Sequence, residues 1–168
     1  MSAQPHYAQN EKDDWQTPPR VTDKFEEHDP IDLDPCAGMD TGLGKHNLTV
    51  YDDGLSVDWF GVVYVNPPYS DKVTWLKRVV AEVESGNVER VYVMTPDSTD
   101  VKSWWHDLIA EYANYVWFPR GRIKFYNPQT EQIEGSPPSG SAISCFGSQP
   151  PEALLDAYRN GGWLVREA

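Results

Sequence analysis

A chain of 168 residues suits one compact domain with a real core, and 39% hydrophobic content with seven Trp argues against disorder. No apolar run approaches the roughly 20 residues that span a bilayer, and Met1 to Asn10 lacks the apolar stretch of a signal peptide, so a soluble intracellular protein is expected. Cys36 and Cys145 stand apart and His6, His28, His46 and His106 lack ligand spacing, which speaks against a disulfide framework and against a bound metal. The net charge of −12, from 26 acidic and 14 basic residues, is unusual for a protein that grips phosphate. Arg120, Arg122 and Lys124 nonetheless fall within five residues and make a local basic strip.

Residues 1–13 are polar and read as a mobile tail before a single domain over 14–168. Trp15-Gln16-Thr17-Pro18-Pro19 opens a short helix to about Glu27. Ile31-Asp32-Leu33 reads as a buried strand that ends at Asp34-Pro35-Cys36-Ala37-Gly38. The Gly- and Asp-rich stretch from Met39 to Trp59 is expected to be largely loop, with one short strand near Leu48 to Tyr51. Val62 to Val65 is a strand that runs into Asn66-Pro67-Pro68-Tyr69. A helix from Asp71 carries Val73, Leu76, Val80 and Val83 on one stripe and stops at Gly86. Val91 to Met94 is a strand closing at Thr95-Pro96, after which Ser98 or Thr99 caps a helix bearing Trp104, Trp105, Leu108, Ile109 and Tyr112. Tyr115 to Phe118, Arg122 to Tyr126 and Ala142 to Phe146 read as strands. A helix over Glu152 to Arg159, a Gly-Gly turn and a strand over Trp163 to Val165 complete the chain.

Strands alternating with helices predict an α/β layered fold with a mostly parallel sheet. Ligands of such sheets sit at the carboxyl ends of strands, and Asp34-Pro35-Cys36, Asn66-Pro67-Pro68-Tyr69 and Thr95-Pro96-Asp97 all fall at that edge. A Pro pair alone marks a turn. Here the prolines also remove two donors and fix the backbone, so that the Pro67 carbonyl and the Asn66 side-chain oxygen stand as acceptors at a strand end. Two such acceptors suit an exocyclic amine, and Tyr69 offers a flat face for an aromatic ring.

Asp34-Pro35-Cys36-Ala37-Gly38 resembles the Asp-Pro-x-x-Gly turn that holds S-adenosylmethionine in amino-methyltransferases, and Asn-Pro-Pro-Tyr follows about 30 residues on. Taken with Asp14 to Pro18, Asp53-Gly54-Leu55, Asp58-Trp59, Trp104-Trp105, Gly121-Arg122-Ile123-Lys124-Phe125 and Pro138-Ser139-Gly140-Ser141, the chain resembles the phage-type (Dam-like) DNA N6-adenine methyltransferase family over about residues 13 to 147. The Gly-x-Gly of the cofactor turn is matched only loosely, by Gly42-Leu43-Gly44, and no separate target-recognition domain is expected.

The resemblance implies a single-domain Rossmann-like fold that uses S-adenosylmethionine and acts on DNA in the cytoplasm (a host's, for a viral protein). It implies that Asn66, Pro67, Pro68 and Tyr69 hold a flipped adenine. Trp15, Gln16, Thr17, Asp34, Pro35, Cys36, Ala37, Asp53, Asp58 and Asn66 then surround the cofactor, and Arg120, Arg122 and Lys124 contact phosphates. A methyltransferase acting on RNA or on a protein glutamine amide stays open, as does a catalytically silent DNA-binding viral protein. The acidic excess suggests a halophilic host, the recognised DNA site does not follow from these residues, and the oligomeric state is open, a monomer included.

Overall fold

The computed structural model describes residues 16–39, 42–127, 130, 132–133 and 139–166. The expected tail and Trp15 lie outside them. Helix α1 (Pro19–His28) starts with proline in its first turn and buries Val21 and Phe25, one turn apart, on a single face. It stops before Pro30. There Asp29, buried, accepts Arg90 Nε and Nη2 at 2.7 and 2.9 Å and the Tyr92 hydroxyl at 2.5 Å, locking the helix end to the sheet.

Strands β1 (Leu33–Asp34), β2 (His46–Asn47), β3 (Gly61–Val65) and β4 (Val88–Pro96) come first, followed by β5 (Tyr115–Pro119), β8 (Ser141–Gly147) and β9 (Gly162–Arg166). Among the described residues these form one sheet in the order β2-β1-β3-β4-β8-β5-β9. The β1–β2, β1–β3 and β3–β4 pairs are parallel, whereas β4–β8, β5–β8 and β5–β9 are antiparallel. The sheet is therefore mixed, with its parallel half carrying the three polar turns. The remaining short strands β6 (Tyr126–Asn127) and β7 (Gln132–Ile133) pair as a separate hairpin.

Two apolar layers cover the sheet. Helix α2 (Lys72–Glu84) packs Trp75, Leu76 and Val79 on Val63, Val65, Val91 and Val93, together with Trp104, Trp105 and Ile109. On the other face α1 and α3 (Glu152–Gly161) pack Phe25, Leu154, Leu155 and Tyr158 on Tyr64, Tyr92, Met94 and Cys145. The opposite burial of Tyr64 and Val65 follows from the two-residue period of a strand.

Four local expectations change. The segment after β4 forms a π-helix over Lys102–Ala110, with Val101 rather than Ser98 or Thr99 at its start and no side-chain cap. Its i→i+5 turn aligns Trp104 with Ile109, so that both adjacent indoles, Trp104 and Trp105, stay buried. The short strand expected near Leu48 to Tyr51 falls instead at His46–Asn47, because the Asp52 carboxylate takes the Thr49 amide and hydroxyl and turns the chain. The first strand is displaced to Leu33–Asp34, although the Asp32 amide already bonds the Val62 carbonyl. Of the strand expected over Arg122 to Tyr126, only Tyr126 pairs; Ile123 and Phe125 are buried and Arg122 and Lys124 exposed, an alternation without a ladder.

Candidate active site

Strand β1 lies between β2 and β3, and the chain leaves β1 toward one side and β3 toward the other. This reversal puts a crevice at the carboxyl ends of β1 and β3, where Asp34-Pro35-Cys36-Ala37 and Asn66-Pro67-Pro68-Tyr69 stand side by side. The Asn66 backbone amide faces the Cys36 thiol, whose pKa is driven well up by burial and by nearby Asp34. The third turn joins them through β4: the Asp97 amide bonds the Gly140 carbonyl at 3.1 Å. A methyl on Gly140 would lie 2.1 Å from the Asp97 carboxylate, so the Asp97 side chain packs directly on this glycine.

Among the described residues, the Asn66 side chain is tied through its nitrogen. Its Nδ2 donates to Thr17 Oγ1 at 3.4 Å, and Thr17 Oγ1 shares a 2.8 Å hydrogen bond with the buried Tyr64 hydroxyl. With the amide nitrogen engaged, the oxygen is the end left to accept. Tyr69 stands half-buried with its hydroxyl inward, and burial pushes that group up to about 12; Ser141 tempers the shift without forming a full hydrogen bond. Lys72 Nζ holds the Tyr69 carbonyl at 3.0 Å, fixing the turn to the start of α2.

Asp34 is buried, and its carboxylate accepts the Cys36 amide and the Leu43 amide, each at 3.2 Å. Desolvation dominates and raises its pKa to about 7, with the two amides pulling the other way. Its oxygens thus brace the turn and the Gly42-to-Gly44 loop. A methyl on Gly54 would sit 1.8 Å from the Pro35 carbonyl oxygen, so Gly54 presses the next segment under the same turn. This brings Asp53 beside it. Asp53 takes a positive φ of 49° and binds the Ser56 hydroxyl at 2.5 Å, whereas Asp58 is exposed farther along.

The basic strip lies on the outer side of the fold. Arg120, Arg122 and Lys124 are exposed, and the Arg20 guanidinium on α1 donates to the carbonyls of Arg120, Gly121 and Arg122 at 3.5, 3.5 and 3.1 Å. Gln16 and Tyr126 exchange two backbone hydrogen bonds at 3.0 and 3.1 Å, which ties the segment before α1 to the hairpin.

Three supporting residues were not singled out from the sequence. Tyr64 read only as one apolar member of a strand, and Arg20 carried no reading of its own. Arg78 had a visible partner at i+4, Glu82; it also binds the carbonyls of Leu55 and, at 2.7 Å, Val57, and lies 5.3 Å over Trp59. It thereby holds the Asp53–Asp58 segment in place.

A three-layer α/β domain with its polar turns gathered at a switch point is built to bind a ligand at the sheet edge. The profile of the DNA N-6-adenine-methyltransferase (Dam) family matches residues 4–160. The chain belongs to that family of enzymes. It is also similar to the DNA N-6-adenine-methyltransferase of Haemophilus phage HP1 (strain HP1c1), 27% identical over 133 residues that cover 77% of this chain and 76% of that protein.

Proposed function

We propose that this enzyme transfers a methyl group from S-adenosylmethionine to the N6 amine of an adenine extruded from DNA. The observation that carries the reading is the tether of the Asn66 nitrogen to Thr17, which leaves the side-chain oxygen to accept at the end of β3, with the Pro67 carbonyl as the second acceptor. Two acceptors take the two N–H groups of the amine and turn its lone pair toward the methyl donor. Tyr69 stacks on the base, and extrusion is needed because the amine cannot be reached inside a duplex.

The rim suits a ligand that carries polar groups. Tyr69 Oη and Thr95 Oγ1 are buried there without a hydrogen bond among the described residues. The Asp34-to-Ala37 turn, braced by Asp34 and Gly54, would hold S-adenosylmethionine through its backbone, with Asp53 and Asp58 toward the ribose and adenine and Trp15 and Gln16 toward the methionine end. When bound, that cofactor supplies an electrophilic methyl on a sulfonium. The residues of this chain contribute position and orientation: an N–C bond forms as the S–C bond breaks, and the amine proton passes to water. Arg120, Arg122 and Lys124 contact phosphates.

The test is methyl transfer from labelled S-adenosylmethionine to unmethylated DNA, at low and molar salt, followed by digestion to nucleosides. Label in N6-methyldeoxyadenosine supports the reading. Cofactor binding with label only in RNA or protein acceptors replaces the substrate, and absence of cofactor binding removes the reaction.

A further inference from the structure

Thr17 occupies a place that a helix-opening residue does not need. Its hydroxyl lies 2.8 Å from Tyr64 Oη and 3.4 Å from Asn66 Nδ2, joining positions 47 and 49 residues away in the chain. Pro18, not Thr17, is the N-cap of α1, and the helix start carries no side-chain cap. The hydroxyl is therefore not used by the helix. Tyr64 points its own hydroxyl at Met94 Sδ, 4.0 Å away. Donation in that direction leaves a Tyr64 lone pair for the Thr17 proton, and a Thr17 lone pair for the Asn66 amide. The chain of donors then runs one way, from Asn66 through Thr17 and Tyr64 to Met94.

Gln16 fixes the middle of this relay. Its amide and carbonyl both bond Tyr126, at the head of the β6–β7 hairpin. Thr17 is thus held between the loop that bears Arg122 and Lys124 and the strand that ends in Asn66.

We propose that Thr17 is a positioning residue for methyl transfer: its hydroxyl fixes which end of the Asn66 carboxamide faces the target amine, and its place is set by the Gln16–Tyr126 strap. The inference rests on the reading of Asn66 given above and changes the part played by Thr17 from cofactor contact to control of Asn66. Without the hydroxyl the carboxamide can rotate, and in the wrong rotamer it presents N–H groups to the amine it must accept from. Binding of cofactor does not depend on that rotamer.

The experiment uses the full chain and compares Thr17→Val, Thr17→Ser and Tyr64→Phe with the wild type. It measures kcat and KM on DNA, S-adenosylmethionine affinity by titration calorimetry, and thermal midpoints. Thr17→Val should lose about 10- to 100-fold in kcat, the scale of a misplaced reacting group, with cofactor affinity within about twofold of wild type. Thr17→Ser should recover most of the rate, and Tyr64→Phe should fall between. An unchanged kcat in Thr17→Val overturns the proposal. So does a loss confined to cofactor affinity, which would return Thr17 to the cofactor, and so does a loss that Thr17→Ser fails to repair. A wild type that binds cofactor but methylates no DNA would instead refute the functional reading beneath it.

Discussion

The Asp34 carboxylate accepts the Leu43 amide across nine positions of chain, so the turn after β1 and the loop that returns to β2 are held by one buried acid. Burial raises that carboxyl from 3.8 to about 7. The folded state then binds the proton more tightly than the unfolded chain, and stability from this group is full below about pH 4 and lost as pH rises through about 7. The whole shift corresponds to at most about 4 kcal/mol. Wild-type protein should therefore melt at a higher temperature at pH 6 than at pH 8, and Asp34→Asn should flatten that difference. Equal pH slopes in thermal melts of the two proteins would mean that Asp34 does not carry it.

Asn66→Ala removes the acceptor but leaves the Asp34 turn untouched. Turnover should fall at least about 100-fold, the scale for loss of one preorganised hydrogen-bonding group at a reacting centre. Cofactor affinity should be largely kept. Full activity in this variant would refute the role of Asn66.

Arg20 and Arg122 separate support from contact. Arg20 holds the Arg122 carbonyl at 3.1 Å, whereas the Arg122 side chain is exposed. Arg122→Ala should weaken DNA binding and lower the slope of log affinity against log salt by about 1. Arg20→Ala should also weaken binding, through a looser loop, with a smaller change in slope. Fluorescence anisotropy over a salt series measures both, and an unchanged slope in Arg122→Ala would move the phosphate contact elsewhere.

Gly54 sits where a side chain cannot. The 1.8 Å approach of a Cβ to the Pro35 carbonyl forces backbone movement in Gly54→Ala. A loss of about 1–3 kcal/mol in urea unfolding is expected, as for other overpacked sites, together with weaker cofactor binding. A variant as stable as wild type would show that the two segments can part without consequence.

The gathering of the three polar turns on one rim is legible in the sequence, for a physical reason. Pro67, Pro68, Pro35 and Pro96 punctuate strand ends, and strand ends in the parallel half share one rim, so three turns at distant positions predict one crevice. The strips that failed are those in which a side chain, not the period, decides the backbone. Asp52 displaces a strand by turning Thr49, and Arg20 takes carbonyls of 120–122 that a neighbouring strand would otherwise have to satisfy. The antiparallel half was likewise hidden, since β8 returns beside β4 only after the chain has built β5 and the hairpin. Thr17 was singled out as a cofactor contact, whereas its bonds to Tyr64 and Asn66 were not foreseen, because Tyr64 reads in sequence as core.

The net charge of −12 and the basic strip make opposite demands on salt. Self-repulsion among 26 acidic residues weakens the compact state and is screened as ionic strength rises, with a Debye length of about 3 Å at 1 M. Phosphate contacts weaken over the same range through loss of counterion release. If the acidic surface is an adaptation to a salt-rich cytoplasm, the thermal midpoint should climb steadily into molar KCl while DNA affinity falls by a shallow power of salt, leaving activity highest well above dilute buffer. Melts and methylation rates measured side by side from 0.05 to about 3 M KCl test this. A protein most stable and most active in dilute buffer would leave the acidic excess without a halophilic explanation.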